Sequence, residues 1–184
     1  EWVAEAERRG LPNIKCMVDA VPALVKPEAV EIFEKHGVYT KAEMESRAEV
    51  MYETYSKTIN IEALTMIDMA KKQIVPATIK CQTSLAESVN AIKAASSAVD
   101  TSVQEALMAD ISTNLKDMYV ALAHLEEVAG KAEAMEEGAE QGHYYHDVVF
   151  TAMDELRKPA DKLEMLVAKS AWPFPSYGDL IFEV

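Results

Sequence analysis

The residues best suited to chemistry lie in one short stretch, His143-Tyr-Tyr-His-Asp147. On a helix, His143 would stand beside His146 and Asp147, and two imidazoles with a carboxylate are ligands for a transition metal. Such a site needs further ligands from a facing helix. Glu140-x-x-His143 matches half of a di-iron carboxylate bundle site, but the sequence carries no second Glu-x-x-His to complete it. The commoner origin of these letters is a polar first turn after an acidic loop, and Gly142 weakens the helix the motif would need. Of the acidic pairs, Glu126 with Glu127 and Glu136 with Glu137 have the form of acid/base candidates, and helix-surface charge is their ordinary reading. His124 sits beside an apolar seam and reads as a hydrogen-bonded structural histidine. No phosphate-cradling, dinucleotide, nucleophile-elbow or zinc-protease motif occurs. No catalytic, cofactor-binding or metal-binding residue is therefore assigned in this chain.

Composition says what must position these side chains. Of 184 residues 49% are apolar, enough for a real core, and the formal charge is -13. Nucleic acid is an unfavourable partner, because phosphate binding needs clustered Lys and Arg. An acidic membrane surface would repel the chain as well. No apolar run reaches the roughly 18 residues of a membrane span and no charged-then-apolar leader opens the chain, so a cytoplasmic location is expected. Cys16 and Cys81 stand far apart without metal or redox spacing, and both are expected to be reduced and partly buried. The first residue is Glu1 and the opening reads as a helix already under way, as expected of a piece of a longer chain.

From Val38 to Ala129 there is no Gly and a single Pro, the pattern of continuous helix and a poor match to a sheet. Before that, a short helix carries Trp2, Val3 and Ala6 and ends at Gly10. A second is expected around Val21 to Val25 with Asp19 as cap and Pro22 in its first turn, and a third begins at Pro27 and stops at Gly37. Thr40 and Glu43 form a capping box. From there a seam of apolar residues, among them Tyr52, Ile59, Ala63, Ala70, Cys81 and Val89, runs at spacings of three and four to about Ser97. Pro76 is expected to kink this helix just before itself.

A second long helix, capped by Asp100 or Thr101, carries Val103, Leu107, Ile111, Leu115, Met118, Leu122, Leu125, Ala129 and Ala132. It fades in the loop "EAMEEGAEQG". The third, with Tyr145, Val149, Ala152, Leu156, Leu163 and Leu166, is expected to be interrupted at Pro159. Met44, Met51, Met66, Met69, Met108, Met118, Met135, Met153 and Met165 read as core filler. The predicted fold is all-α: an antiparallel three-helix bundle on one very long helix kinked at Pro76, with short N-terminal helices and an extended aromatic tail. The corresponding regions are 1–39, 40–170 and 171–184.

At ~1.5 Å per residue the first long helix would span about 85 Å and the second about 50 Å. The upper part of the first, near Thr40 to Met69, therefore needs other cover. Ile59, Ala63, Met66 and Ala70 share one face there while Ile61 and Leu64 project from nearly the opposite side. Cover on two sides is expected, from the short N-terminal helices, the aromatic tail and a region or subunit beyond this sequence.

Three blocks carry a family resemblance: "EKHGVYTKAEMESR" at Glu34 to Arg47, "TINIEALTMIDMAKKQIVPA" at Thr58 to Ala77, and "WPFPSYGDLIFEV" at Trp172 to Val184. Together they resemble the C-terminal region of type III glutamine synthetase, the large bacterial form, and "EWVAEAERRGLPN" is similar to the segment after that family's catalytic domain. The likeness covers essentially the whole chain. It implies a parent enzyme that joins ammonia to glutamate at the expense of ATP with divalent metal, Mg or Mn, in a ring-based homo-oligomer. The metal, nucleotide and glutamate ligands would lie upstream on a sheet scaffold, so no catalytic residue carries over to this chain. The implied role is a non-catalytic module that braces the catalytic domain of the same polypeptide and helps homo-oligomer subunits meet. The residues alone also leave open an independent helical interaction or sensory module and, more remotely, a metal-binding bundle.

Overall fold

With almost no Gly or Pro in its middle, the backbone satisfies its N–H and C=O groups by local helical bonds. The computed structural model describes residues 1–175 and 177–182, and all regular structure among them is helical. The helices are α1 (Trp2–Arg8), α2 (Met17–Leu24), α3 (Pro27–Lys35), α4 (Lys41–Met69), α5 (Val75–Ala95), α6 (Ser102–Glu133), α7 (Ala139–Tyr144), α8 (Phe150–Leu166) and α9 (Tyr177–Phe182). Two π turns, Ala70–Ile74 and Tyr145–Val149, join α4 to α5 and α7 to α8 without a break in the helix. The all-α expectation holds.

The predicted punctuation is visible at several ends. Gly10 and Gly37 take positive φ, and the amides of Leu11 and Val38 reach back to the carbonyls of Ala6 and Phe33, each at 2.9 Å. These bonds satisfy carbonyls that a helix end leaves open. At the start of α4, the Thr40 amide donates to Glu43 Oε2 at 2.7 Å and the Glu43 amide to Thr40 Oγ1 at 3.4 Å. The Thr40 amide, and after it the Thr40 hydroxyl, which donates to the same Oε2 at 2.9 Å, hold the Glu43 carboxyl below the usual range. Thr101 stands just before α6, its carbonyl taking the Glu105 amide, while Asp100 accepts from the Ser102 amide at 2.9 Å.

Other boundaries differ. The long helix does not simply bend at Pro76; its bonding widens to a π turn over Ala70–Ile74, where the missing proline amide and the crowded Lys72 carbonyl are accommodated. α2 begins at Met17, ahead of the predicted cap, so Asp19 lies in its first turn and Pro22 lies inside it. α8 runs through Pro159 uninterrupted. The proline is buried while Glu155, whose carbonyl loses its amide partner, is exposed to water. The acidic loop is shorter than predicted, because α7 starts at Ala139 and includes Gly142. A Cβ there would lie 3.1 Å from Tyr52 Cδ1 and 3.3 Å from Val18 Cγ1, so glycine permits a close approach that outweighs its poor helix propensity.

The chain divides into two compact units, each drawing on segments distant in sequence: residues 1–61 with 131–148, and residues 62–130 with 149–184. In the first, Val18 and Val21 of α2 pack with Ala48 and Tyr52 of α4, and Cys16, Met17, Val25 and Tyr55 border them. Tyr52 Oη donates to the Val18 carbonyl at 3.4 Å. In the second, α6 buries Ile111, Met118, Leu122 and Leu125, and α8 buries Ala152, Leu156 and Leu163. Val103, predicted for the seam, is exposed there. Thr78 of α5 is fully buried and satisfies its hydroxyl on the Ile74 carbonyl at 2.8 Å.

The two-sided cover predicted for α4 is only partly found. α2 covers one face near Tyr52, whereas Ile61 and Leu64 remain 66% and 49% exposed. Met44, Met118 and Met153 are buried as core filler, but Met51 and Met165 face solvent. The tail is not extended throughout. Trp172 and Phe174 are half-buried and meet edge-on at 6.1 Å, and α9 follows with Phe182 exposed rather than buried. The side chain of Tyr177 and the tail positions Ser176, Glu183 and Val184 lie outside what the structure describes.

Candidate functional site

The metal-like motif does not converge. His143, in the last turn of α7, has Nδ1 at 3.9 Å from Asp19 Oδ1, while His146, in the π turn, places Nδ1 at 2.7 Å from Asp147 Oδ1. Among the described residues no three or more His, Cys, Asp or Glu side chains share a metal-binding geometry. Glu126 pairs with Lys71, Glu127 and Glu136 lie on exposed surface, and His124 is exposed on α6 with no hydrogen bond among the described residues. Both cysteines are free and partly buried. The Cys16 thiol donates to Asp19 Oδ2 at 3.0 Å, and burial followed by that bond pushes its pKa up, away from a reactive thiolate.

Among the recesses in the described residues, two contrast in chemistry. In the unit of residues 62–130 and 149–184, an apolar groove of ≈ 200 Å³ opens among Met66, Met69, Ile74, Leu156, Trp172 and Phe174. The Arg157 and Asp161 side chains, 3.3 Å apart, sit at its edge. Apolar side chains make up most of its lining, with Arg157, Asp161 and Glu164 as the charged members, and its chemistry is chiefly that of packing.

In the other unit, a polar cleft of ≈ 220 Å³ lies between α4 and residues 133–145. Ser56 and Asn60, one helical turn apart, line it from α4. Opposite them stand Gln141, fixed by Nε2 bonds to the carbonyls of Ala132 at 3.1 Å and Met135 at 3.5 Å, and Tyr145, only 2% exposed. Burial, then the Glu133 charge, pushes the Tyr145 hydroxyl up in pKa. At the mouth, Lys57 is paired with Glu53, which raises its pKa, while Glu133 and Glu137 are exposed. Sequence reasoning passed over this cleft. Its one local signal was two polar residues, Ser56 and Asn60, four apart beside the apolar seam.

The sequence model of the family described as "Glutamine synthetase C-terminal domain" matches residues 1–93. The chain is 35% identical to a glutamine synthetase of Butyrivibrio fibrisolvens over its full length, covering 26% of that protein. It is 26% identical to the type-3 glutamine synthetase of Dictyostelium discoideum and 28% identical to a glutamine synthetase of Bacteroides fragilis, each over 99% of the chain. The chain belongs to the glutamine synthetase C-terminal domain family. It spans about a quarter of the length of these curated relatives, within their C-terminal part.

Proposed function

We propose that this chain is the non-catalytic C-terminal module of a type III glutamine synthetase, serving to brace the catalytic portion of its own polypeptide and to help subunits of a homo-oligomer meet. The observation that carries this reading is the alignment of the entire chain with only the C-terminal quarter of its relatives. The exposed apolar residues add support: α1 buries none of its side chains and holds Trp2 75% exposed, a surface that cover from elsewhere would stabilise. In this reading the ATP-dependent joining of ammonia to glutamate, with its divalent Mg or Mn, belongs to residues upstream, and the whole enzyme works in the cytoplasm.

The test has two arms. The isolated chain, given ATP, glutamate and hydroxylamine, is expected to form no γ-glutamyl hydroxamate, and ATP-dependent formation would overturn the reading. Removing the module from the full-length enzyme is expected to change the assembly size measured by light scattering; an unchanged, fully active oligomer would remove the bracing role.

A further inference from the structure

The polar cleft holds buried acceptors that no neighbouring side chain meets. Both hydrogens of Gln141 Nε2 are spent on backbone carbonyls, which leaves Oε1 as the side chain's remaining group, an acceptor. The Asn60 Oδ1 and Ser56 Oγ atoms are buried without a hydrogen-bond partner among the described residues, and Ser56 is only 4% exposed. Leaving such atoms unpaired is costly, so a donor is expected to fill the space. Charge points the same way. Glu53, Glu133 and Glu137 bring three carboxylates, and Lys57, paired with Glu53, offsets one of them. Glu133 and Glu137 make no ion pair among the described residues.

We infer that this cleft binds a small organic cation carrying a primary ammonium group. Three N–H donors on one positive centre match the acceptors of Asn60, Gln141 and Ser56 together with the two carboxylates at the mouth, and bonds between ionised partners are the stronger kind. A metal ion fits less well, because among the described residues no three His, Cys, Asp or Glu side chains converge. The ≈ 220 Å³ volume holds about seven waters at their liquid density, and hence a short alkyl amine in their place. This site is separate from the bracing role and stands on the cleft alone.

The test titrates n-propylammonium chloride into the full chain at low salt, reading the side-chain amide signals of Asn60 and Gln141 by NMR and the heat by calorimetry. Saturable shifts at those two amides are expected. 1-Propanol lacks the charge and tetramethylammonium lacks the N–H donors, so each is expected to bind at least about tenfold more weakly, as loss of one charge-assisted bond requires. The Glu133→Gln, Glu137→Gln double variant, altered only at exposed side chains, is expected to lose a similar factor while its thermal unfolding is unchanged. No saturation up to about 10 mM, an affinity already weaker than about 3 kcal/mol, would leave water as the only occupant and overturn the proposal. Equal binding of tetramethylammonium, or an undiminished double variant, would overturn it too.

Discussion

The Tyr52 hydroxyl donates to the Val18 carbonyl at 3.4 Å, and that carbonyl is the one Pro22 leaves without an amide. In a regular helix the residue at position 22 would bond back to position 18. Proline has no N–H, so a side chain from α4 takes the amide's place across the α2–α4 contact. Tyr52→Phe is expected to lower unfolding free energy by about 1 kcal/mol. If the proline is the reason, Pro22→Ala restores an amide to Val18 and the same Tyr52→Phe change then costs clearly less. A double-mutant cycle by urea unfolding reads the difference; equal costs in both backgrounds would sever the link.

Gly142→Ala tests the close approach of α7. Alanine is the better helix former by about 1 kcal/mol, yet its methyl would press on Tyr52 and Val18, both buried. Overpacking costs about 1–3 kcal/mol, so a net loss of about 1 kcal/mol is expected in thermal unfolding. A stabilised variant would mean that the Tyr52 ring yields without cost.

Acid should weaken the helix starts. Glu43 is held below its ordinary pKa by Thr40, Asp100 by Ser102 and Glu105 chiefly by Lys93. A carboxyl whose folded pKa is depressed contributes stability that is fully present above its unfolded value and is lost as pH falls through the folded one. Measured against the intrinsic slowing of exchange in acid, the protection of the amides of Lys41 to Met44 is therefore expected to fall as pH drops below the ordinary carboxylate range. In Glu43→Gln this pH dependence is expected to flatten, and an unchanged profile would count against the capping box.

In the tail, burial separates two aromatic residues. Trp172 is half-buried against the groove and Phe174, so Trp172→Ala is expected to cost about 2 kcal/mol, below the range for a fully buried aromatic. Phe182 is 82% exposed, and Phe182→Ala is expected to fall within about 0.5 kcal/mol of the parent chain. Matched losses by calorimetry would show that α9 is docked in solution.

Where local chemistry decides, the sequence was legible. The spacing of Tyr52, Ile59, Ala63 and Ala70, the Thr40–Glu43 box and the Gly10 and Gly37 stops all appear as read. The misreadings share a cause in contacts from far along the chain. Pro22 within α2 relies on Tyr52, and Gly142 within α7 reflects the closeness of Tyr52 and Val18. The cleft was invisible for the same reason, since Ser56 and Asn60 gain meaning only when Gln141 and Tyr145 arrive opposite them. Of His143, His146 and Asp147, which in sequence read first as a polar turn, the last two pair at 2.7 Å while His143 faces Asp19 at 3.9 Å, a partner that helical spacing alone could not name.

The π turn at Ala70–Ile74 is also a matter of phase. Each residue added to a helix advances its faces by ~100°, and a π turn carries one residue more than the α ladder needs. Thr78 and Val89 point inward because that surplus residue has already been counted. Deleting one position between Ala70 and Ile74 is therefore expected to remove only the surplus residue and to close the ladder as regular α-helix with the faces of α5 kept, whereas the same deletion at Gln82, in regular helix, would turn the buried Val89 away by about a quarter-circle. Length is therefore set more loosely at this turn than along the rest of α5, where the loss of a single residue changes which face is buried.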